Sequence, residues 1–279
     1  MKSSNPVFAR SAEFNGRGGA VAKTATDPSQ WQVDLDSPSN PTHTGTGTGR
    51  MTIETVVEKT AVTLGLLVVA AAVTWFVIGD VSTDQAALTR AMGFAFGGAM
   101  IGFVLAMVNS FKKVISPGLV LAYAAVEGVF VGAFSKVIST YVGDPTIVFQ
   151  AVLATMVAFG GTLAAYKFFD IQVTDKFRKV VTIAMFSFVG VMLVNLVLSL
   201  TGVLESGGLR GFNTLGLVVS AIAVVLAVFM LIMDFDYVEK GVAAGVPERE
   251  SWRAAFGLTV TLVWLYIEIL RILAILRGD

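Results

Sequence analysis

The chain has 279 residues, of which 55% are apolar and 14% are charged, with a formal net charge of zero. Soluble domains carry about 25% charged residues, so this composition excludes a soluble fold and indicates an integral membrane protein. The balanced charge offers no basic surface for nucleic acid. The sequence contains no cysteine, which excludes disulfides, thiol catalysis and thiolate metal sites.

The first 57 residues differ from the rest, because they are polar and rich in Pro, Gly, Ser and Thr. This composition, with the low-complexity run NPTHTGTGTGR, predicts a flexible tail. No apolar core follows the N-terminal lysine, so a signal peptide is not expected. We therefore predict a polar tail over residues 1–57 and a membrane domain over residues 58–279.

Seven apolar runs with short polar breaks follow this tail. Most approach the length of about 20 residues that an α-helix needs to cross the hydrocarbon core. In lipid such runs must be helical, because each segment has to satisfy its own backbone polar groups. The sequence thus predicts an all-α fold with seven transmembrane helices, over Ala61–Ile78, Ala91–Val108, Leu119–Phe134, Thr146–Tyr166, Val180–Leu204, Phe212–Met233 and Ala254–Leu276.

The distribution of Lys and Arg predicts the orientation of these helices. Eleven of these residues fall on the side of the N-terminal tail and four on the other side. Positive residues concentrate in cytoplasmic loops. We therefore predict a multi-pass protein of the plasma membrane, with its N-terminus in the cytoplasm and its C-terminus outside.

Ionisable residues inside the apolar spans are the candidate functional groups, namely Glu127, Asp234, Asp236, Glu268 and Arg271. A charge at the centre of a transmembrane helix costs about 2.5–3.5 kcal/mol, so such residues indicate function. At 1.5 Å per residue, Glu127 lies about 12 Å and Glu268 about 21 Å from the cytoplasmic side, with Asp234 near the boundary.

Each of these groups also has a structural interpretation. Glu268 and Arg271 are spaced to pair on one helix, as are Asp236 and Lys240, and Glu127 can be buried in its protonated form. In the functional interpretation, carboxylates brought close together share a proton that holds two helices together. Clustered carboxylate oxygens also suit a hard cation such as calcium.

Three segments resemble the Bax inhibitor family of membrane proteins (the transmembrane Bax inhibitor motif family). YAAVEGVFVGAFS resembles the Glu-Gly motif of the third helix, and WLYIEILRILAIL resembles the pattern of the last helix, with Glu268 at an aspartate position. IMDFDYVE resembles the segment that ends the sixth helix, with Asp234 at the acid position and Asp236 as the alternative. The opening NPVF and the long tail resemble an actinobacterial branch.

The resemblance implies a last helix enclosed by the other six. It also implies a carboxylate pair between the sixth and seventh helices that acts as a pH-sensitive latch on a calcium leak. In this sequence the pair would be Asp234 or Asp236 with Glu268, and Asp234 with Glu268 would hold calcium. The sequence departs from the family pattern at Arg271, where an uncharged residue is usual, and on depth alone Glu127 is the better neighbour for Glu268.

Two functions therefore remain open. The first is a proton-gated cation leak channel or transporter, whose partners are the bilayer and cations. The second is a non-transporting regulator that binds other membrane proteins, such as a protease or a stress factor. An enzyme is not expected, because the sequence has no HExxH, no paired catalytic aspartate motif and no Ser/His set. No cofactor is expected apart from a calcium ion.

Overall fold

The computed structural model describes residues 49–204 and 207–278. These residues form seven α-helices, each long and apolar enough to cross a membrane. A short 3-10 helix, Gly208–Arg210, lies between the fifth and sixth. The predicted all-α fold with seven spans is confirmed, and its helices are α1 Ile53–Ile78, α2 Gln85–Phe111, α3 Pro117–Val142, α4 Thr146–Phe168, α5 Asp175–Leu200, α6 Thr214–Ala243 and α7 Glu250–Arg277.

Successive helices run in opposite directions, so the seven helices present two ends. We call the end at which α1 and α7 begin the N-side and the end at which they finish the C-side. On the N-side, Arg249 Nε donates to the carbonyl oxygen of Ile115, 2.8 Å away, and this ties the start of α7 to the α2–α3 loop. On the C-side, Arg277 donates to Asp144 in the α3–α4 loop.

The helices are mostly longer than the predicted spans, and three of the differences have a visible consequence or cause. Helix α1 begins at Ile53 rather than at Ala61, because the Thr52 hydroxyl caps it by accepting from the backbone N–H of Thr55. Helix α5 ends at Leu200, ahead of a glycine with positive φ at Gly202. Helix α6 continues past Met233 to Ala243. Residues 1–48 of the predicted tail lie outside the described residues.

The residues directly before α1 pair with the α6–α7 loop on the N-side. Met51 N–H donates to the Val246 carbonyl and Glu248 N–H donates to the Gly49 carbonyl, both at 2.8 Å. The Met51 side chain is 1% exposed, and the hydroxyls of Thr55 and Ser251 lie 2.7 Å apart. These residues, predicted as part of the tail, are therefore an integral part of the packed helices.

Helix α7 is the central helix. More than half of its residues are buried, and it packs against α1, α3, α4 and α6. Helix α5 also reaches it, since the rings of Phe188 and Trp264 lie 5.8 Å apart. Helix α2 packs mainly on α3. The central position of α7 explains how polar side chains can sit within it, because they face protein and not lipid.

Glycines in α2 and α3 allow α1, α2 and α3 to approach closely. A Cβ on Gly132 would overlap the backbone of α1 at Ala71, and one on Gly98 would lie 3.0 Å from the Phe130 backbone. A Cβ added to Gly93 or Gly97, by contrast, would have no atom of another described element within 4 Å. The glycines that face a neighbouring helix thus serve close packing of the helix backbones.

Candidate functional site

Glu268 lies in α7, nine residues before the helix ends on the C-side. Its side chain is 2% exposed, and its Oε1 accepts a hydrogen bond of 2.6 Å from Arg210 Nη1. Arg210 is the last residue of the 3-10 helix between α5 and α6, and 26% of its side chain is exposed. The partner of the buried glutamate is therefore an arginine that reaches in from the C-side.

Arg271 completes this cluster from the next turn of α7. Its Nη2 donates to the backbone carbonyl of Arg210 at 2.6 Å, and its guanidinium lies 5.2 Å from the ring centroid of Phe212. Its Nε is 4.0 Å from Glu268 Oε2, too far for a hydrogen bond. These two atoms have no hydrogen-bond partner among the described residues. The pairing predicted within α7 is thus a longer contact than the one with Arg210.

Asp234 occupies a separate position closer to the N-side. Its Oδ2 accepts a hydrogen bond of 2.7 Å from the Thr261 hydroxyl of α7. Because α6 continues for nine residues beyond Asp234, this residue lies about 13 Å from the N-side end of the helix. Thr261 and Glu268 are seven residues apart on α7, or about 10 Å. Asp234 and Glu268 therefore do not form the carboxylate pair that the resemblance implies.

Asp236 is buried in a salt-bridge cluster at the N-side end of α6. Its carboxylate contacts Lys240 Nζ at 2.8 Å and Arg178 Nη2 of α5 at 2.7 Å. The contact with Lys240 is the one its spacing in the sequence predicts, and the arginine adds a second cation. Asp236 thus joins α6 to α5 and does not face Glu268.

Glu127 also lies away from Glu268. It sits near the middle of α3, and a Cβ added to Gly102 of α2 would be 2.5 Å from its Oε2. Glu127 therefore packs into the space that a glycine leaves on α2. Depth alone favoured Glu127 as the neighbour of Glu268, but Glu127 contacts α2 and Glu268 contacts Arg210, so the two are not paired.

A cavity of about 610 Å³ opens on the N-side beside Asp234. Its lining combines Asp234 with charged and loop residues, including Arg178, Tyr237, Pro247 and Glu250. Between Asp234 and Glu268, α6 and α7 bring together a layer of apolar side chains, namely Ala227, Leu231, Leu262 and Leu265. The seam between these helices thus has a polar entrance, an apolar middle and an arginine-covered glutamate.

The carboxylates do not converge on one point. Within residues 49–204 and 207–278, no group of three or more His, Asp or Glu side chains is arranged to hold a metal ion. Asp234 and Glu268, the predicted calcium ligands, lie on opposite sides of the apolar layer. In this conformation they contribute to two positions along one seam and not to a shared ion site.

Comparison with known protein families agrees with this architecture. The family model described as Bax inhibitor 1 like matches residues 5–278, which includes all seven helices. The chain belongs to the Bax inhibitor 1 like family. Comparison with curated proteins finds no match. The resemblance inferred from the three motifs is confirmed at the level of the family, and the actinobacterial branch stays a prediction.

Sequence analysis missed three residues of this arrangement, namely Arg210, Arg178 and Thr261. Arg210 and Arg178 had been counted only as loop charges that set orientation. One signal for Arg210 was available, since the run GGLRGF places a lone arginine at the C-side end of α6. Glu268 lies in the half of α7 that faces the same side, so the two charges had to be near in depth. No comparable signal distinguishes Thr261 from the other hydroxyls of α7.

Proposed function

We propose that this protein is a cation leak channel or transporter of the plasma membrane, with calcium as the expected ion and the N-side in the cytoplasm. The path runs along the seam between α6 and α7, and the observation that carries the proposal is the contact of 2.6 Å between Arg210 and the buried Glu268. A buried carboxylate in a membrane helix is costly to keep unless it has a function. Here its partner is Arg210 from the short segment between α5 and α6, and in this proposal that side chain withdraws when the path opens.

The conformation described here corresponds to a closed path. Cations reach Asp234 from the N-side through the cavity of about 610 Å³. The layer around Leu231 and Leu265 stops them there, because an ion loses its hydration in an apolar constriction. Arg210 places a second, positively charged barrier on the C-side. Opening requires α6 and α7 to separate at the apolar layer and Arg210 to leave Glu268.

Protonation of Glu268 is the proposed trigger. A protonated Glu268 has no net charge, so its attraction to Arg210 is largely lost. The path therefore opens as the pH falls. This is the reverse of a latch in which two carboxylates share a proton, where loss of the proton loosens the helices. The direction of the pH dependence is reversed because the partner of Glu268 is an arginine and not a second carboxylate.

Calcium flux in proteoliposomes tests the proposal. We expect flux into vesicles loaded with a calcium indicator to rise as the pH is lowered from 7.5. Arg210→Gln should increase flux at pH 7.5, because each 1.4 kcal/mol lost from the closed state raises the open fraction about tenfold. Glu268→Gln should give a high flux that no longer depends on pH. Asp234→Asn should lower flux at every pH.

Arg90→Gln is the matched control, since Arg90 is a half-exposed arginine of the C-side that contacts Asp84 and not Glu268. Its flux should equal that of the unmodified protein. A flux that rises with acid equally in the unmodified protein and in Glu268→Gln would refute the role of this glutamate. Reconstituted, folded protein without flux at any pH would refute transport.

The second candidate is a non-transporting regulator that binds other membrane proteins. The observation that favours it is that both Glu268 and Asp236 are bound by basic side chains, as in salt bridges that only stabilise a fold. This candidate predicts no flux in any variant, together with loss of stability in Glu268→Gln. No enzymatic activity is proposed.

A further inference from the structure

A second cavity, separate from the α6–α7 seam, lies between α1 and α4. Both helices pack against α7, but within the described part of the chain no Cα of α1 lies within 8 Å of a Cα of α4. The gap contains a groove of about 300 Å³ with walls from α1, α3 and α4 and a floor formed by α7 at Val263 and Tyr266. Along the surface of α7 at Val263 and Tyr266, no other described helix therefore covers the central helix.

The chemistry of the groove selects an apolar occupant. Its polar side chains already bind one another or the backbone. The hydroxyls of Ser135 and Tyr266 lie 2.7 Å apart, and Thr155 donates to the carbonyl of Ala151 at 2.7 Å. The rest of the lining is aliphatic or aromatic, with Val68 and Met156 exposed at the rim. Apolar cavities of this kind exclude water and take up apolar molecules.

The dimensions of the groove match one leaflet of a bilayer. Along α1 its lining runs from Leu64 to Trp75, eleven residues or about 16 Å. Half of the hydrocarbon core is about 15 Å. Trp75 lies one turn before α1 ends on the C-side, where membrane proteins place tryptophan at the headgroup level. The groove thus extends from the C-side headgroups to the middle of the membrane.

A lysine side chain lies at the headgroup end of the groove. Lys136 Nζ lies over the Trp75 ring, 4.5 Å from its centroid. No carboxylate oxygen of residues 49–204 and 207–278 lies within 4 Å of this ammonium group. The nearby loop acid Asp80 is engaged elsewhere, since its oxygens accept from Ser82 and Thr83. Lys136 is therefore available to a phosphate.

We propose that this groove binds one phospholipid of the C-side leaflet. One acyl chain lies between α1 and α4 against α7, and the headgroup phosphate contacts Lys136. This acyl chain fills the gap between α1 and α4 and covers the surface of α7 at Tyr266. Binding at this site does not depend on whether the protein conducts ions.

Native mass spectrometry of the purified full-length protein tests the proposal. Delipidated protein is given either phosphatidylglycerol or a diacylglycerol with the same acyl chains. We expect one phosphatidylglycerol to be retained per chain, with about tenfold weaker retention of diacylglycerol. Lys136→Gln should remove this tenfold preference, and Ala72→Phe, which fills the groove, should abolish retention of both lipids.

Two matched controls separate the site from general lipid adhesion. Val157→Phe enlarges a side chain of α4 that is 73% exposed and does not line the groove, and Lys179→Gln removes an exposed lysine on the N-side. Both should retain lipid like the unmodified protein. Equal loss in Ala72→Phe and Val157→Phe, or no lipid retained by the unmodified protein, overturns the proposal. Unchanged preference in Lys136→Gln overturns the phosphate contact.

Fluorescence provides a second measurement that does not require Ala72→Phe to fold. A variant with Trp31, Trp252 and Trp264 changed to Phe keeps only Trp75. Phosphatidylglycerol brominated in the middle of its acyl chains should quench Trp75 saturably at about one lipid per protein in detergent. Lys136→Gln should shift this saturation to about tenfold more lipid. Quenching that rises linearly without saturation overturns the proposal.

Discussion

The pair formed by Arg210 and Glu268 should contribute a large coupling energy to stability. At an effective dielectric constant of about 20, the Coulomb attraction between Arg210 and Glu268 is about 6 kcal/mol at their separation of 2.6 Å. For comparison, the attraction between Arg271 and Glu268 is about 4 kcal/mol at 4.0 Å. Much of this attraction is offset by the desolvation of two charges. We expect a net coupling of about 2–4 kcal/mol, within the range measured for close charge pairs in desolvated sites.

A double-mutant cycle measures this coupling. The free energy of unfolding in mixed micelles is determined for the unmodified protein, Arg210→Gln, Glu268→Gln and the double variant, first at pH 7.5. The measurement is repeated in acid, where protonation of Glu268 should reduce the coupling. The pair of Arg90 and Asp84 is the control, because its atoms are 3.3 Å apart but both side chains are about half exposed. Its coupling should stay below about 1 kcal/mol.

Two results would refute this reasoning. A coupling below about 1 kcal/mol between Arg210 and Glu268 at pH 7.5 would show that their contact does not hold the C-side closed. A coupling that is the same in acid as at pH 7.5 would remove the proposed trigger. Either result leaves the lipid groove untouched, since that site shares no residue with the pair.

Two further predictions concern packing and pH. Gly132→Ala should destabilise the protein by about 1–3 kcal/mol, because its Cβ would overlap the backbone of α1, whereas Gly97→Ala, which has open space around it, should be neutral or slightly stabilising in the same unfolding assay. Hydrogen bonds from the hydroxyl and backbone N–H of Thr146, with a further contribution from Arg277, hold the pKa of Asp144 below its ordinary value. The folded state therefore binds this proton less tightly than the unfolded state, so the stabilisation is complete above the ordinary carboxyl pKa of about 4 and is lost as the pH falls through the lower, folded value. In a profile of unfolding free energy against pH, Asp144→Asn should make the decline in stability at acid pH less steep. An unchanged decline would refute the assignment to Asp144.

Much of the fold follows from the sequence because the membrane restricts the choices. Runs such as Ala61–Ile78 and Thr146–Tyr166 had to be helices, since lipid offers no partner to the backbone. Their length and the short breaks between them determine seven antiparallel spans. The motifs around Glu127, Asp234 and Glu268 were sufficient to assign the family. All of these signals are local, so they can be read along a single chain.

The partners of the buried charges depend on tertiary structure instead. A loop residue such as Arg210 lies 58 residues from Glu268, and only the packing of α6 against α7 brings the two together. Depth estimates could not replace that information, because rise per residue gives a height along the membrane but no direction around the helix. For this reason depth alone favoured Glu127 as the neighbour of Glu268, although the two side chains have different contacts.

The sequence by itself determined that this chain crosses a membrane seven times, belongs to one family and keeps ionisable groups within its spans. Only the tertiary structure decided that Glu268 is held by an arginine, that Asp234 lies beyond an apolar layer and that α1 and α4 leave a groove between them. The physical reason is that burial requires each charge and each apolar face to be covered, and which neighbour covers it is decided when the helices pack.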